Sequence, residues 1–173
     1  MDTPSALEAL HRAVDEQAHS IAEAYALAHG HPSTCAPGCS GCCVDELTVF
    51  EIEADRIRAR HADLLASGEP HPVGACAFLG NGGRCRVYPQ RPYVCRTQGL
   101  PLRWLEPDGE GGGLDHRDIC PLNEHPEGFS IVELRPDACW TLGPWESKLR
   151  LLQELQDGGE GKRVALRELF QPA

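Results

Sequence analysis

Cys35-Ala36-Pro37-Gly38-Cys39-Ser40-Gly41-Cys42-Cys43 places four cysteines in nine residues, set among turn formers. Pro37, Gly38 and Gly41 oppose both helix and strand, because proline lacks a backbone donor and glycine leaves the chain unrestrained. A backbone that curls in this way can turn several sulfurs toward one point. The stretch therefore reads as one wall of a metal site. It also decides the fold class, a single small α+β domain in which helices and short hairpins surround an irregular cysteine-rich metal centre.

Working outward, the chain of 173 residues is long enough for one domain with its own core, and its 41% hydrophobic and 24% charged content is ordinary for a globular protein. A formal charge of -10 argues against nucleic acid and against an anionic membrane surface as partners, since both are met with a surplus of Lys and Arg. No apolar run is long enough to span a bilayer. The first thirty residues carry Asp2, Glu8, Asp15, Glu16 and Glu23, which an export signal would not tolerate. A cytoplasmic location is expected. In a reducing compartment nine clustered cysteines point to metal ligands rather than disulfides, and the odd count and the vicinal Cys42-Cys43 pair agree.

The segments around the opening stretch are regular. Leu7, Leu10, Val14, Ile21, Tyr25 and Ala28 recur on one face of a helix over about 4–29, with Thr3-Pro4 at its start and Gly30 and Pro32 at its end. After a short extended piece at 44–48, Thr48 and Glu51 have the spacing of a capping box, and Phe50, Ala54, Ile57, His61, Leu64 and Leu65 line a second helix to about 66. Gly80-Asn81-Gly82-Gly83 predicts a turn between strands at 77–79 and 84–88. Pro89 and Pro92 then end the strand, and a short helical turn carries Cys95. A Gly-rich loop from Glu106 to Gly113 joins two short strands, 100–105 and 114–119. Leu142, Trp145, Leu149, Leu152 and Leu155 predict a helix from near Pro144, and a last short helix is expected over 164–170.

Thiolates are soft, charged donors that suit zinc, iron or copper(I) rather than calcium or magnesium. Four of them complete a tetrahedral zinc site at about 2.3 Å per bond, or hold the corners of an iron–sulfur cluster. Here Cys35, Cys39, Cys42 and Cys43 form the local group, with Cys76, Cys85, Cys95 and Cys120 supplied from a distance. That is enough for two four-ligand sites or one polynuclear centre. The side chains of adjacent residues diverge, so Cys42 and Cys43 are expected to serve different metals, or only one of them to be a ligand. The cofactor is therefore zinc or iron, the latter possible as an iron–sulfur cluster.

Other residues were weighed against this set. Arg84, Arg86, Arg91, Arg96 and Arg103 occur between Pro70 and Leu105 without any Asp or Glu. They either form an anion-binding face or, as we prefer, offset thiolate charge and bond nearby carbonyls. His29, His31 and His116 are secondary ligand candidates, whereas His11, His19 and His61 read as surface or packing residues. Cys139, beside Trp140, reads as a buried thiol. Cys39-Ser40-Gly41-Cys42 has redox-motif spacing but lacks the βαβ context such a motif needs.

The residues also resemble a known family. Cys35 to Cys43, Leu47-Thr48, Glu53 to Ile57, Cys76-Ala77-Phe78-Leu79, Gly83 to Tyr88 and Arg91 to Arg96 together resemble the YkgJ-type cysteine-cluster family, a zinc- or iron-chelating domain with a CxxCxxCC signature. The resemblance covers about 35–122, with flanking helices about 4–29 and 144–170 outside it. It implies metal ions as partners and Cys35, Cys39, Cys42, Cys43, Cys76, Cys85, Cys95 and Cys120 as ligands. One spacing departs from the signature: Cys35-x3-Cys39 has three intervening residues where the family has two. The main functional expectation is metal chelation. The alternative is an iron–sulfur enzyme of group-transfer type, as in flagellin lysine methylases, which carry a related cluster.

Overall fold

Helix α1, Thr3–His29, is the longest element of the computed structural model, which describes residues 2–30, 34–36, 38–109, 111–124 and 130–170. Leu7, Leu10, Val14, Ala18, Ile21 and Tyr25 are buried along one stripe at three- and four-residue spacing, as the periodicity requires. The cap is one residue earlier than expected. Asp2, not Thr3, accepts the Ser5 amide at 3.0 Å, and Gly30 closes the other end in the left-handed region at φ 71°.

The second expected helix is divided. Thr48 lies in strand β1, Thr48–Phe50, so no capping box forms; α2 is Glu51–Arg60, and α3, Ala62–Ser67, follows a break at His61. Strand β1 pairs antiparallel with β5, Arg163–Ala165, where Val49 faces Val164. That pairing takes the first two residues of the expected last helix, and the remainder is a 3-10 turn at Leu166–Phe170. Three valines and alanines cannot announce a strand whose partner is more than a hundred residues away.

The hairpin expected at 77–88 is similarly reduced. It is one isolated bridge, Leu79 to Cys85, closed by the Gly80 amide on Arg84 O at 2.8 Å and the Arg86 amide on Phe78 O at 2.9 Å. Helix α4, Tyr93–Arg96, is the turn predicted to carry Cys95. Strands β2, Leu102–Pro107, and β3, Gly113–Asp118, form the predicted antiparallel hairpin. On the other edge β2 gains a short parallel partner, β4, Trp140–Thr141, before α5, Pro144–Asp157.

Two apolar clusters hold these elements, each large buried side chain contributing about 1.5–3 kcal/mol. The first gathers the stripe of α1 with Ile52, Tyr93, Leu100, Trp140 and Leu149. The second gathers Val49, Ala54, Ile57, Phe78, Val87, Leu166 and Leu169, and it includes Cys76. Helix α2 belongs to both, with Ile52 toward the first and Ala54 and Ile57 toward the second. A buried polar bridge reinforces the first. Arg56 can only donate, so its 2.6 Å bond makes His11 Nδ1 an acceptor; His11 Nε2–H then donates to Glu53 at 3.0 Å. Glu53 also accepts the Tyr93 amide at 2.7 Å, which fixes the start of α4 and hence the bearing of Cys95.

Candidate metal centre

None of the nine cysteines is in a disulfide. Cys39, Cys42, Cys43, Cys76, Cys85 and Cys95 line one cavity of about 310 Å³, and Cys35 lines an adjoining one with Cys39, Cys42 and Cys95. Local geometry explains the convergence. The Cys39 amide bonds Ala36 O and the Cys43 amide bonds Ser40 O, each at 2.9 Å, so the opening stretch is two successive turns. From the far side, the Cys76 amide donates to Cys43 O at 2.9 Å and brings the second cysteine region onto the first.

Electrostatics links the thiols. Burial pushes the Cys42 thiol up, and the charges of Cys35, Cys39 and Cys120 push the same way. Cys43 is pushed up to about 12, first by burial and then by Cys42, Cys76 and Cys85. Cys95 also reaches about 12, through burial and then Cys76, Cys85, Cys43 and Cys42. Burial raises Cys76 and Cys85 as well, although Arg86 opposes it at both, Arg167 at Cys76 and Arg91 at Cys85. Thus Cys42 feels Cys35, Cys39 and Cys120 and itself acts on Cys43 and Cys95, so it lies between the two sets, while Cys43 lies with Cys76 and Cys85. Cys39, Cys42 and Cys95 likewise border both cavities.

Among the described residues no three His, Cys, Asp or Glu side chains already stand as a set that could hold one metal ion. The donor chemistry nevertheless fits. Cys43 and Cys95, pushed up to about 12, are protonated at neutral pH, and thiolates gathered at one point repel unless a cation lies between them.

Two clamps support the wall. Arg167 bonds both oxygens of Asp45, at 3.0 and 2.8 Å, and the carbonyls of His71 and Ala75, at 2.6 and 2.9 Å. It thereby ties the chain next to Cys43 to the chain next to Cys76. Asn123 is the second clamp. Its Nδ2 donates to Cys35 Sγ at 3.4 Å and to Gly99 O at 2.8 Å, its Oδ1 accepts the Thr34 amide at 2.8 Å, and its own amide donates to Cys120 O at 2.7 Å. Sequence reading missed both, because Asp45–Arg167 and Cys35–Asn123 join residues 122 and 88 positions apart; the one visible hint was Asn123, a turn-forming residue three places after Cys120.

The remaining candidates are placed as follows. Arg86 bonds Ala77 O, Arg96 bonds Asp15 and Pro89 O, Arg91 bonds Asp15 and Tyr88 O, and Arg103 bonds Asp115. These four bond carbonyls or Asp carboxylates, and Arg84 lines the cysteine cavity. His29 packs on Tyr25 with ring centroids 4.5 Å apart, and His31 lies outside the described residues. His116 is stacked on Trp104 and ion-paired with Glu106 at 2.9 Å. Cys139 is buried beside Arg117, immediately before β4, and lines neither cysteine cavity. No described helix is long and apolar enough to cross a membrane.

Residues 34–111 match the CxxCxxCC family, described as "Putative zinc- or iron-chelating domain". The match includes Cys35 and stops short of Cys120, and it leaves α1 and α5 outside. No curated protein and no solved structure matches the chain. It is residues 34–111, holding seven of the cysteines placed around the two cavities, that are similar to this zinc- or iron-chelating domain.

Proposed function

We propose that the protein binds zinc or iron through Cys35, Cys39, Cys42, Cys43, Cys76, Cys85, Cys95 and Cys120, in two groups that share no sulfur. Cys43, Cys76, Cys85 and Cys95 make an inner group; Cys35, Cys39, Cys42 and Cys120 make an outer one. The observation that carries this reading is geometric: Cys43 is tied to Cys76 by a backbone bond and packs with Cys76 and Cys85 in one apolar cluster, whereas Asn123 ties Cys35 to Cys120. Adjacent side chains that diverge cannot easily serve one tetrahedral ion, but they can serve two neighbouring ones.

Each group supplies four soft, charged donors, which matches a tetrahedral zinc or the corners of an iron–sulfur cluster. Arg86, Arg91 and Arg167 offset thiolate charge at the inner group. The residues' part is to position and neutralise; the metal's part, once bound, is to remove the thiol protons and tie the segments together.

Anaerobically purified protein tests the reading by elemental analysis and visible absorption. Iron with labile sulfide and a brown colour identifies clusters, and colourless protein with zinc identifies zinc sites. Protein that takes up neither metal, even when refolded in its presence, rules the reading out.

A further inference from the structure

The two sulfur groups are held by different means. Cys76 is 8% exposed and lies within the second apolar cluster, with Cys43 and Cys85 packed against it. Behind them the Asp45–Arg167 ion pair is largely buried, its side chains 13% and 25% exposed, and Asp45 takes the Gly74 amide at 2.9 Å as a further bond. Three of the four inner sulfurs, Cys43, Cys76 and Cys85, are therefore built into or packed against the core.

The outer group has no such backing. Cys35 and Cys42 are exposed, and neither apolar cluster contains Cys35, Cys39, Cys42 or Cys120. What secures it is Asn123, only 8% exposed, which bonds Cys35 Sγ and Cys120 O and so couples the two ends of the group. Gly99 completes this seat. At φ +86° it adopts a conformation suited to glycine, and a Cβ there would lie 2.1 Å from Cys35 Sγ. Asn123 and Gly99 thus form the seat of the Cys35 sulfur.

Resting on the two-group reading above, we infer that the inner group holds a resident metal centre whereas the outer group is an exchangeable one, gated by Asn123 as a positioning residue for Cys35. The outer group would take up and release a thiophilic divalent cation presented by small thiol ligands. One thiolate replaces another on the ion, the displaced sulfur takes the proton given up by the incoming thiol, and no electron moves. A hydrogen bond donated to a ligating sulfur fixes its direction and lowers its donor strength, and loss of such a partner costs about 10–100-fold in metal affinity.

The full chain loaded with Co(II) and mixed with excess pyridylazoresorcinol tests this by the time course of metal release. Two phases of equal amplitude are expected, the fast one at least about tenfold faster. Asn123→Asp keeps an acceptor for Thr34 but removes the donor to Cys35. It should speed the fast phase about tenfold, leave the slow phase unchanged, and shift the thiolate-to-cobalt charge-transfer band of the fast half to lower energy. A purely structural role would lower occupancy without moving that band. Gly99→Ala should likewise speed the fast phase, and Arg167→Lys only the slow one. An unchanged slow phase in the Asn123 and Gly99 variants shows that the inner fold is intact. A single release phase, or variants that speed both phases alike, overturns the inference while leaving metal binding in place. A wild-type chain that binds no metal overturns the two-group reading beneath it, and the inference with it.

Discussion

At the scale of single residues, the centre turns on two adjacent cysteines with different surroundings. Cys42→Ser and Cys43→Ser are each expected to lose one centre and keep the other, so that metal per chain falls by about half, and the double variant loses both. Cys139→Ser should leave the metal content of the folded protein unchanged, because that thiol is buried beside Arg117 and away from the cavity. Elemental analysis of the purified variants checks all four. His11 carries a separate prediction. Burial, chiefly, holds its pKa below the ordinary value of 6.5, with Arg96 and Arg56 adding to the effect and Glu53 opposing it. A base with a lowered folded pKa contributes stability that is fully present above its unfolded value and is lost as pH falls through the folded one. Urea midpoints should therefore fall between pH 6.5 and more acid values, and His11→Gln should flatten that part of the profile. A variant with the wild-type slope would show that another group is responsible.

Among the elements, helix α5 depends on its entry. Gly143 sits at φ 109° and its amide donates to Glu146 at 2.6 Å, so the first turn begins from a backbone that other residues reach only with strain. Gly143→Ala is expected to cost about 1–2 kcal/mol in urea denaturation. Helix α1 stabilises the molecule through its buried stripe and contributes none of the proposed ligands. Leu7→Ala should cost about 2–5 kcal/mol, as for other large-to-small core changes, while folded protein retains its full metal content. Loss of metal in that variant would show that the buried stripe of α1 also sets the cavity that Asp15, Ala18, His19 and Ala22 line beside Cys35, Cys39 and Cys42.

For the molecule as a whole, the centre joins chain segments that are otherwise linked by few elements. Cysteines at 35–43, 76, 85, 95 and 120 belong to turns, one isolated bridge, a single helical turn and a strand end. Such segments contain little secondary structure of their own to resist unfolding, so metal ligation should supply much of their stability. Stripping the metal is expected to lower the melting temperature by about 10 °C or more, equivalent to a few kcal/mol for a chain of this size. Calorimetry before and after chelation measures it, and unchanged melting would mean that the centre is not tied to the fold.

The sequence by itself determined the elements whose cause is local. The stripe of α1, the Pro144 start of α5, the turn around Cys95 and the β2–β3 hairpin are each specified by spacing or by a breaker within a few residues. It also determined which residues bring sulfur, since cysteine spacing among Pro and Gly has a chemical meaning without a fold. Only the tertiary structure decided what depends on distant partners. Strand β5 exists because Thr48–Phe50 needs a neighbour, and the Asp45–Arg167 and Asn123–Cys35 clamps exist because the core brings remote segments side by side. The company of Cys42 and Cys43 belongs to the same class. Two consecutive residues look alike in a one-dimensional pattern, and only the fold gives each a different set of neighbours.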